Sequence, residues 1–336
     1  MNTNPATPTP TRNYGDLHDY VRALDEAGLL RKVDIPINKD TELCALVRWQ
    51  FRGSVPEADR KAWLFTNVID AKGRKYDMPV LIGAIASNTE MYTMGLGVTA
   101  EGAHETWSRA LSHPIPPRVV EQAPCQEIVI EGADLDKPGQ ALDSLPAPIA
   151  TPGWDNAPYL SAIGFISRDP DTGLQNLGTY RAQIKTPKTM GMNPSAQNRP
   201  GIYVHWLKYK ERGEKMPVAY VIGGPMSVAY TGMWKVPESL DELAVAGGLI
   251  GQPLNVRLRF LGAANQFDHL RQDRIGSSSH NPRPQRSLAV DRASQQRIAA
   301  GFGYRQRLAG KPGFVHVALP GNHFRVQRNF IAGSDK

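Results

Sequence analysis

Asn176-Leu177-Gly178-Thr179-Tyr180-Arg181-Ala182-Gln183 is the stretch that decides how this chain is read. It follows a β-rich run, Tyr159-Leu160-Ser161-Ala162-Ile163-Gly164-Phe165-Ile166-Ser167-Arg168, and the turn sequence Asp169-Pro170-Asp171-Thr172-Gly173. If residues 178–183 form a strand, alternation points Asn176, Gly178, Tyr180 and Ala182 one way. Leu177, Thr179, Arg181 and Gln183 then point the other. A guanidinium beside Thr and Gln suits a carboxylate or phosphate, because it binds planar anions in a bidentate manner. The same pattern also describes a solvated strand face with Tyr180 in the core, and the residues alone leave both open.

Around this segment, β-runs at 127–131, 159–167, 178–185 and 217–222 are separated by turn signals, which predicts a mainly antiparallel sheet or barrel. Residues 200–212 read as a helix with Pro200 in its first turn and Ile202, Trp206 and Tyr209 on one face. Residues 239–249 read as another. There Ser239-Leu240-Asp241-Glu242 has the form of a capping box, in which Glu242 would satisfy a backbone N–H of its own helix. Upstream, Asp16 is a good N-cap for a helix carrying Leu17, Tyr20, Val21 and Leu24 on one side and stopped by Gly28. Predicted strands at 29–35, 63–68 and 79–84 alternate with helices at 40–52, 89–96 and 100–111, the pattern of an α/β domain. The expected organisation is a disordered lead (1–14), an N-terminal α/β domain (15–125), a β domain (126–256) and a divergent tail (257–336).

The chain has 336 residues, 41% of them hydrophobic, enough to bury a sizeable core. No apolar run reaches the roughly 20 residues of a membrane span. The Thr-, Pro- and Asn-rich opening resembles neither a secretory signal nor an anchor. Cys44 and Cys125 are the only cysteines, which fits a reducing cytoplasm and excludes a disulfide scaffold. The net charge of +7 is unevenly placed. Residues 1–255 hold 25 Lys and Arg against 28 Asp and Glu, a balance of −3, whereas residues 256–336 hold 14 against 4, a balance of +10. Glu242 is the last glutamate. The tail is rich in Arg, Gln, Gly, Ser and His, has one strand-like run at 314–319, and would struggle to offset its ordering entropy. Its composition suits a frameshifted or disordered stretch.

The ordered set of motifs resembles the UbiD family of prenylated-FMN-dependent (de)carboxylases. Arg168–Gly173 matches the family turn RDP(D/E)TG, and Asn176–Gln183 matches N-x-G-x-Y-R-x-Q. Asp16-Leu17-His18-Asp19-Tyr20-Val21, Leu145-Pro146-Ala147-Pro148 with Pro152-Gly153-Trp154, and residues 239–249 resemble further family segments in the same order. The likeness covers about residues 15–255. It implies an N-terminal α/β domain followed by a split β-barrel that binds flavin. By the same resemblance, Asn176 and Glu242 match metal ligands for Mn²⁺ or Mg²⁺, with K⁺ as a further cation, and an amide, a carboxylate and phosphate oxygens do form a hard-oxygen site. Thr179, Tyr180 and Arg181 match flavin contacts, and Arg181 also matches the group that faces the substrate carboxylate. Gln197 and Asn198 align with a further contact pair that usually includes His. The implied activity is reversible loss of CO₂ from an aromatic or α,β-unsaturated acid, in the cytoplasm. A flavin prenyltransferase would supply the cofactor, and family members form homo-oligomers.

The departure lies downstream, where the family completes an Arg–Glu–Glu network that this sequence lacks after Glu242. A catalytically inactive flavin-binding remnant is therefore a rival expectation. Nucleic-acid binding through the basic tail is a weaker one, because Arg283, Arg286, Arg292 and Arg297 have no interleaved aromatics. Gly95-Leu96-Gly97 misses the GxGxxG spacing and reads as a helix–helix connection. The eight histidines form no HExxH or HxxxH pair.

Overall fold

The computed structural model describes residues 14–192, 194 and 198–257, together with the backbone of 323–324. Gln197, the tail strand expected at 314–319 and the four tail arginines lie outside the described residues.

The opening follows its local signals closely. Helix α1 (Leu17–Glu26) starts where the Asp16 side chain accepts a hydrogen bond from the Asp19 N–H, and it buries Tyr20, Val21, Ala23 and Leu24. Strand β1 (Leu30–Val33) runs parallel to β2 (Ala62–Phe65), which pairs antiparallel with β3 (Val80–Ile82). Helix α2 (Leu43–Arg52) follows β1 in the chain. The single strand expected at 63–68 is two: Val68–Ile69 leaves the β2 sheet to pair with Ile37–Asn38 and Lys75–Tyr76. Helices α3 (Thr89–Leu96) and α4 (Ala103–Ser112) complete this layer. Gly97 ends α3 in the left-handed conformation, at φ 69°, so the glycines there are a helix stop before α4.

The second half is built on two three-stranded antiparallel sheets. One has the order β6 (Gln175–Thr179), β5 (Ile163–Arg168), β9 (Val218–Ile222). The other has the order β8 (Thr189–Met192), β7 (Ala182–Thr186), β4 (Tyr159–Leu160). Among the described residues the two do not close into a barrel. The continuous strand expected over 178–185 is broken at Tyr180-Arg181, where the chain passes from one sheet to the other. Helix α5 (Gly201–Glu211) packs on the first sheet, placing Ile202, Trp206 and Tyr209 in the same apolar cluster as Phe165 and Tyr220. Pro200 is its N-cap rather than a first-turn residue.

Helices α6 (Met226–Thr231) and α7 (Glu242–Ile250) lie against β6 and against the first layer. Their Met226, Tyr230, Val245 and Leu249 share a core with Tyr20, Leu64, Met91 and Trp107. Helix α7 is buried from Leu243 to Leu249. Its close approach to α4 requires Gly248, since a Cβ there would stand 2.9 Å from the Ala110 Cα.

Candidate active site

Strand β6 is the edge of its sheet, bonded to β5 on one side only. An edge strand presents a row of N–H groups that must find partners when buried. The N–H of Gln175 donates to Asp241 Oδ2 at 3.1 Å, that of Leu177 donates to the Glu242 carboxylate, and that of Thr179 donates to the Gly232 carbonyl at 2.7 Å. The free edge is therefore closed by the entrance of α7 and the end of α6.

This arrangement overturns the capping-box expectation. Asp241 is the N-cap, its Oδ1 accepting from the Leu243 and Ala244 N–H groups at 2.9 and 3.1 Å. Glu242 is released from its own helix and turned to the strand. Burial pushes its carboxyl up to about 8; the Leu177 N–H lowers the value and neighbouring Asp241 raises it further. A carboxylate in this position gains from a nearby cation, which would restore its charged form.

Asn176 projects from β6 toward the start of α5. It is 7% exposed, and its Nδ2 is buried with no hydrogen-bond partner among the described residues. Its Oδ1 occupies the space a side chain at Gly201 would need, so any other residue at the first position of α5 would force Asn176 to move. Tyr180 folds back over Gly178, its ring filling the space a side chain there would need. Burial raises the Tyr180 hydroxyl to about 12, with the Asn176 amide lowering it, Glu242 raising it and the Ile202 N–H lowering it. Asn176, Tyr180, Glu242 and the N-terminus of α5 thus come together from separate stretches of sequence.

The remaining candidates are placed differently. Arg181 stands in the break between β6 and β7 and is exposed, as is Asn198. Thr179 faces away from Asn176, into an apolar cleft lined also by Leu17, Ile85, Met226 and Met233. Among the described residues no three His, Cys, Asp or Glu side chains cluster as a metal site. An ion at Asn176 and Glu242 would therefore need ligand or water oxygens to complete its shell. Asp241, Gly201 and Gly232 were not singled out from sequence. The first is adjacent to Glu242, but its service to the Gln175 N–H depends on a contact 66 residues away.

Residues 118–259 match the family model described as the UbiD 3-octaprenyl-4-hydroxybenzoate carboxy-lyase Rift-related domain. Residues 118–259 are therefore similar to a UbiD-family domain, and the fold extends that likeness over about three-quarters of the chain. The UbiD-class enzyme HmfF from Pelotomaculum thermopropionicum, solved with FMN, is similar with a TM-score of 0.63 at 27% identity, covering 74% of this chain and 51% of that one. The 3,4-dihydroxybenzoic acid decarboxylase from Enterobacter cloacae gives 0.62 at 26%, over 74% and 51%. The vanillic acid decarboxylase from Sedimentibacter hydroxybenzoicus shares the fold, with 0.64 at 24% over 74% and 52%. The chain spans about half the length of these solved structures. No helix among the described residues is long and apolar enough to cross a membrane.

Proposed function

We propose that this chain is the flavin-binding part of a UbiD-type carboxy-lyase acting reversibly on an aromatic or α,β-unsaturated acid. The observation that carries the reading is that buried Asn176 and half-buried Glu242 both act on the Tyr180 hydroxyl. One is an amide with an unpartnered nitrogen, the other a carboxylate turned away from capping its own helix. Such groups are costly to bury unless something binds them.

In this reading Asn176 and Glu242 would hold Mn²⁺ or Mg²⁺, with K⁺ as a further cation, beside the flavin; both donors are hard oxygens and Glu242 would regain its charge. By the family resemblance, Thr179, Tyr180 and Asn198 would contact the cofactor, together with Gln197, which lies outside the described residues. Prenylated FMN, delivered by a flavin prenyltransferase, supplies the electron sink for the bond that breaks as CO₂ leaves. Arg181, exposed at the break between the sheets, pairs with the substrate carboxylate and orients it. The sheets β6–β5–β9 and β8–β7–β4 are the two halves of a split barrel, the domain boundary falls near 125/126, and the protein works in the cytoplasm.

The test is co-expression of the full chain with a flavin prenyltransferase, followed by absorbance spectroscopy and CO₂ release from a panel of hydroxybenzoates and cinnamates. Bound flavin with turnover supports the reading, and no retained flavin with or without Mn²⁺ ends it. A second reading, a flavin binder without turnover, is favoured by the absence of any glutamate after Glu242. Retained flavin with no CO₂ from any acid, and no activity restored by added small carboxylic acids, would select it.

A further inference from the structure

Ser167 and Asn176 are directly opposed across the β5–β6 ladder. Opposed residues of an antiparallel pair project to the same face with Cβ atoms roughly 4.5–5.5 Å apart, so both side chains look toward α5. Ser167 is 2% exposed and its hydroxyl is bonded to His205 Nδ1 at 2.9 Å. His205 is one helical turn beyond Gly201, the residue against which the Asn176 oxygen rests. On its far side His205 Nε2 faces Asp169 Oδ2 at 3.9 Å.

Asp169 is well anchored as an anion. It accepts from Lys208 Nζ at 2.6 Å and from the Asp171 N–H at 2.8 Å. Burial raises its pKa, but Lys208 and the backbone N–H groups of Asp171 and Thr172 outweigh that and leave it below the usual value. An anion facing Nε2 favours the tautomer with the proton on that nitrogen. Nδ1 is then an acceptor, and the Ser167 hydroxyl must donate to it. The Ser167 oxygen is thereby left as an acceptor, and its cross-strand neighbour Asn176 carries a buried Nδ2 that makes no hydrogen bond here, to Ser167 or to any other described residue. Burial lowers the His205 pKa, against the opposing pull of Asp169, in keeping with a neutral ring.

We propose that Asp169, His205 and Ser167 form a one-way hydrogen-bond chain that sets the polarity of the Asn176 amide. With a cation bound, Ser167 would take the amide nitrogen and leave the oxygen free for the cation. These are positioning residues, and the assignment rests on the role proposed above for Asn176. An amide rotated by 180° would offer a donor where a cation or phosphate-bound metal needs an oxygen. The turn that carries Asp169 thus has a part beyond joining two strands.

Two measurements on the full chain test this. The first is ¹⁵N NMR of the His205 ring near neutral pH without flavin, which is independent of any cofactor role. The expected pattern is a protonated Nε2 and an unprotonated Nδ1; a protonated Nδ1 reverses the Ser167 bond and overturns the proposal. The second is FMN binding in the presence of Mn²⁺, followed by flavin fluorescence, with melting temperature recorded alongside. Ser167→Ala should raise the Kd about tenfold, by the usual worth of partners that orient metal ligands, with little change in melting temperature. Ser167→Thr, which keeps the hydroxyl, should recover most of the affinity. A Ser167→Ala protein that melts lower yet binds as tightly as the parent makes the chain merely structural and overturns the proposal. Failure of the parent itself to bind FMN sinks the proposed function and with it this role, whereas the tautomer still reports whether the chain has the inferred direction.

Discussion

The entrances of α1 and α7 use the same local device and put it to different ends. Each helix begins after an aspartate cap, Asp16 or Asp241, and carries an acid in its first turn, Asp19 or Glu242. At α1 the device is exposed and self-contained: Asp19 pairs with Arg22 one turn on and accepts from the Gly15 N–H at 3.3 Å. At α7 it is enclosed by β6, so the second oxygen of Asp241 and the carboxylate of Glu242 are given to Gln175 and Leu177 instead. Acids at a helix start are cheap in water and expensive in a core. At the partly buried entrance of α7 that cost is what the proposed cation would offset.

Removing the two first-turn acids should break the comparison most widely. Glu242→Gln should weaken Mn²⁺-dependent FMN retention by at least about 10²-fold, since partners that merely orient metal ligands are worth up to that much, whereas Asp19→Asn should leave it unchanged; titration of both variants with FMN checks this. Next in size, Gly201→Ala forces the Asn176 side chain to move and should cost about 1–3 kcal/mol, as overpacking does. Gly28→Ala, where φ is +68° but no atom lies close, should cost only about 1 kcal/mol. Chemical denaturation of the pair separates steric from backbone strain.

The caps themselves give the third contrast. Asp16→Ala should lose about 1 kcal/mol, the ordinary worth of an N-cap. Asp241→Ala should lose about 2–3 kcal/mol, because the Gln175 N–H is also left unpaired. Equal losses in urea melts would show that the β6 edge does not depend on Asp241. The smallest effect is on pH dependence. The Glu242 carboxyl binds its proton more tightly folded, about 8, than its ordinary 4.5. Its contribution to stability is therefore complete below about 4.5 and is lost as pH rises through about 8. The metal-free protein should melt lower at pH 8 than the Glu242→Gln variant, relative to their values at pH 5, and added Mn²⁺ should close the gap. Scanning calorimetry at the two pH values measures it.

Much of the first layer was legible because its signals are local. Asp16, the spacing of Leu17, Tyr20, Val21 and Leu24, and Gly28 mark α1 within a few residues, and α3 falls where the sequence places it. The candidate site was legible only as a resemblance. Asn176 and Glu242 both act on the Tyr180 hydroxyl, whereas Arg181 is exposed at the break between the sheets. The break at Tyr180-Arg181 defeated the period-two reading because both flanks of the break form strands, and nothing local marks the change of sheet.

The sequence by itself determined the elements, the turn Asp169-Pro170-Asp171-Thr172-Gly173, the location of excess charge and the family likeness. All of these follow from neighbours a few residues apart or from the order of motifs. Tertiary structure alone decided that β6 is an edge, that Asp241 and not Ser239 caps α7, and that Glu242 serves a strand 65 residues away. The physical reason is that an unpaired N–H takes whichever acceptor packing brings within reach. Helical spacing offers Glu242 its own cap; the folded chain offers it the Leu177 N–H.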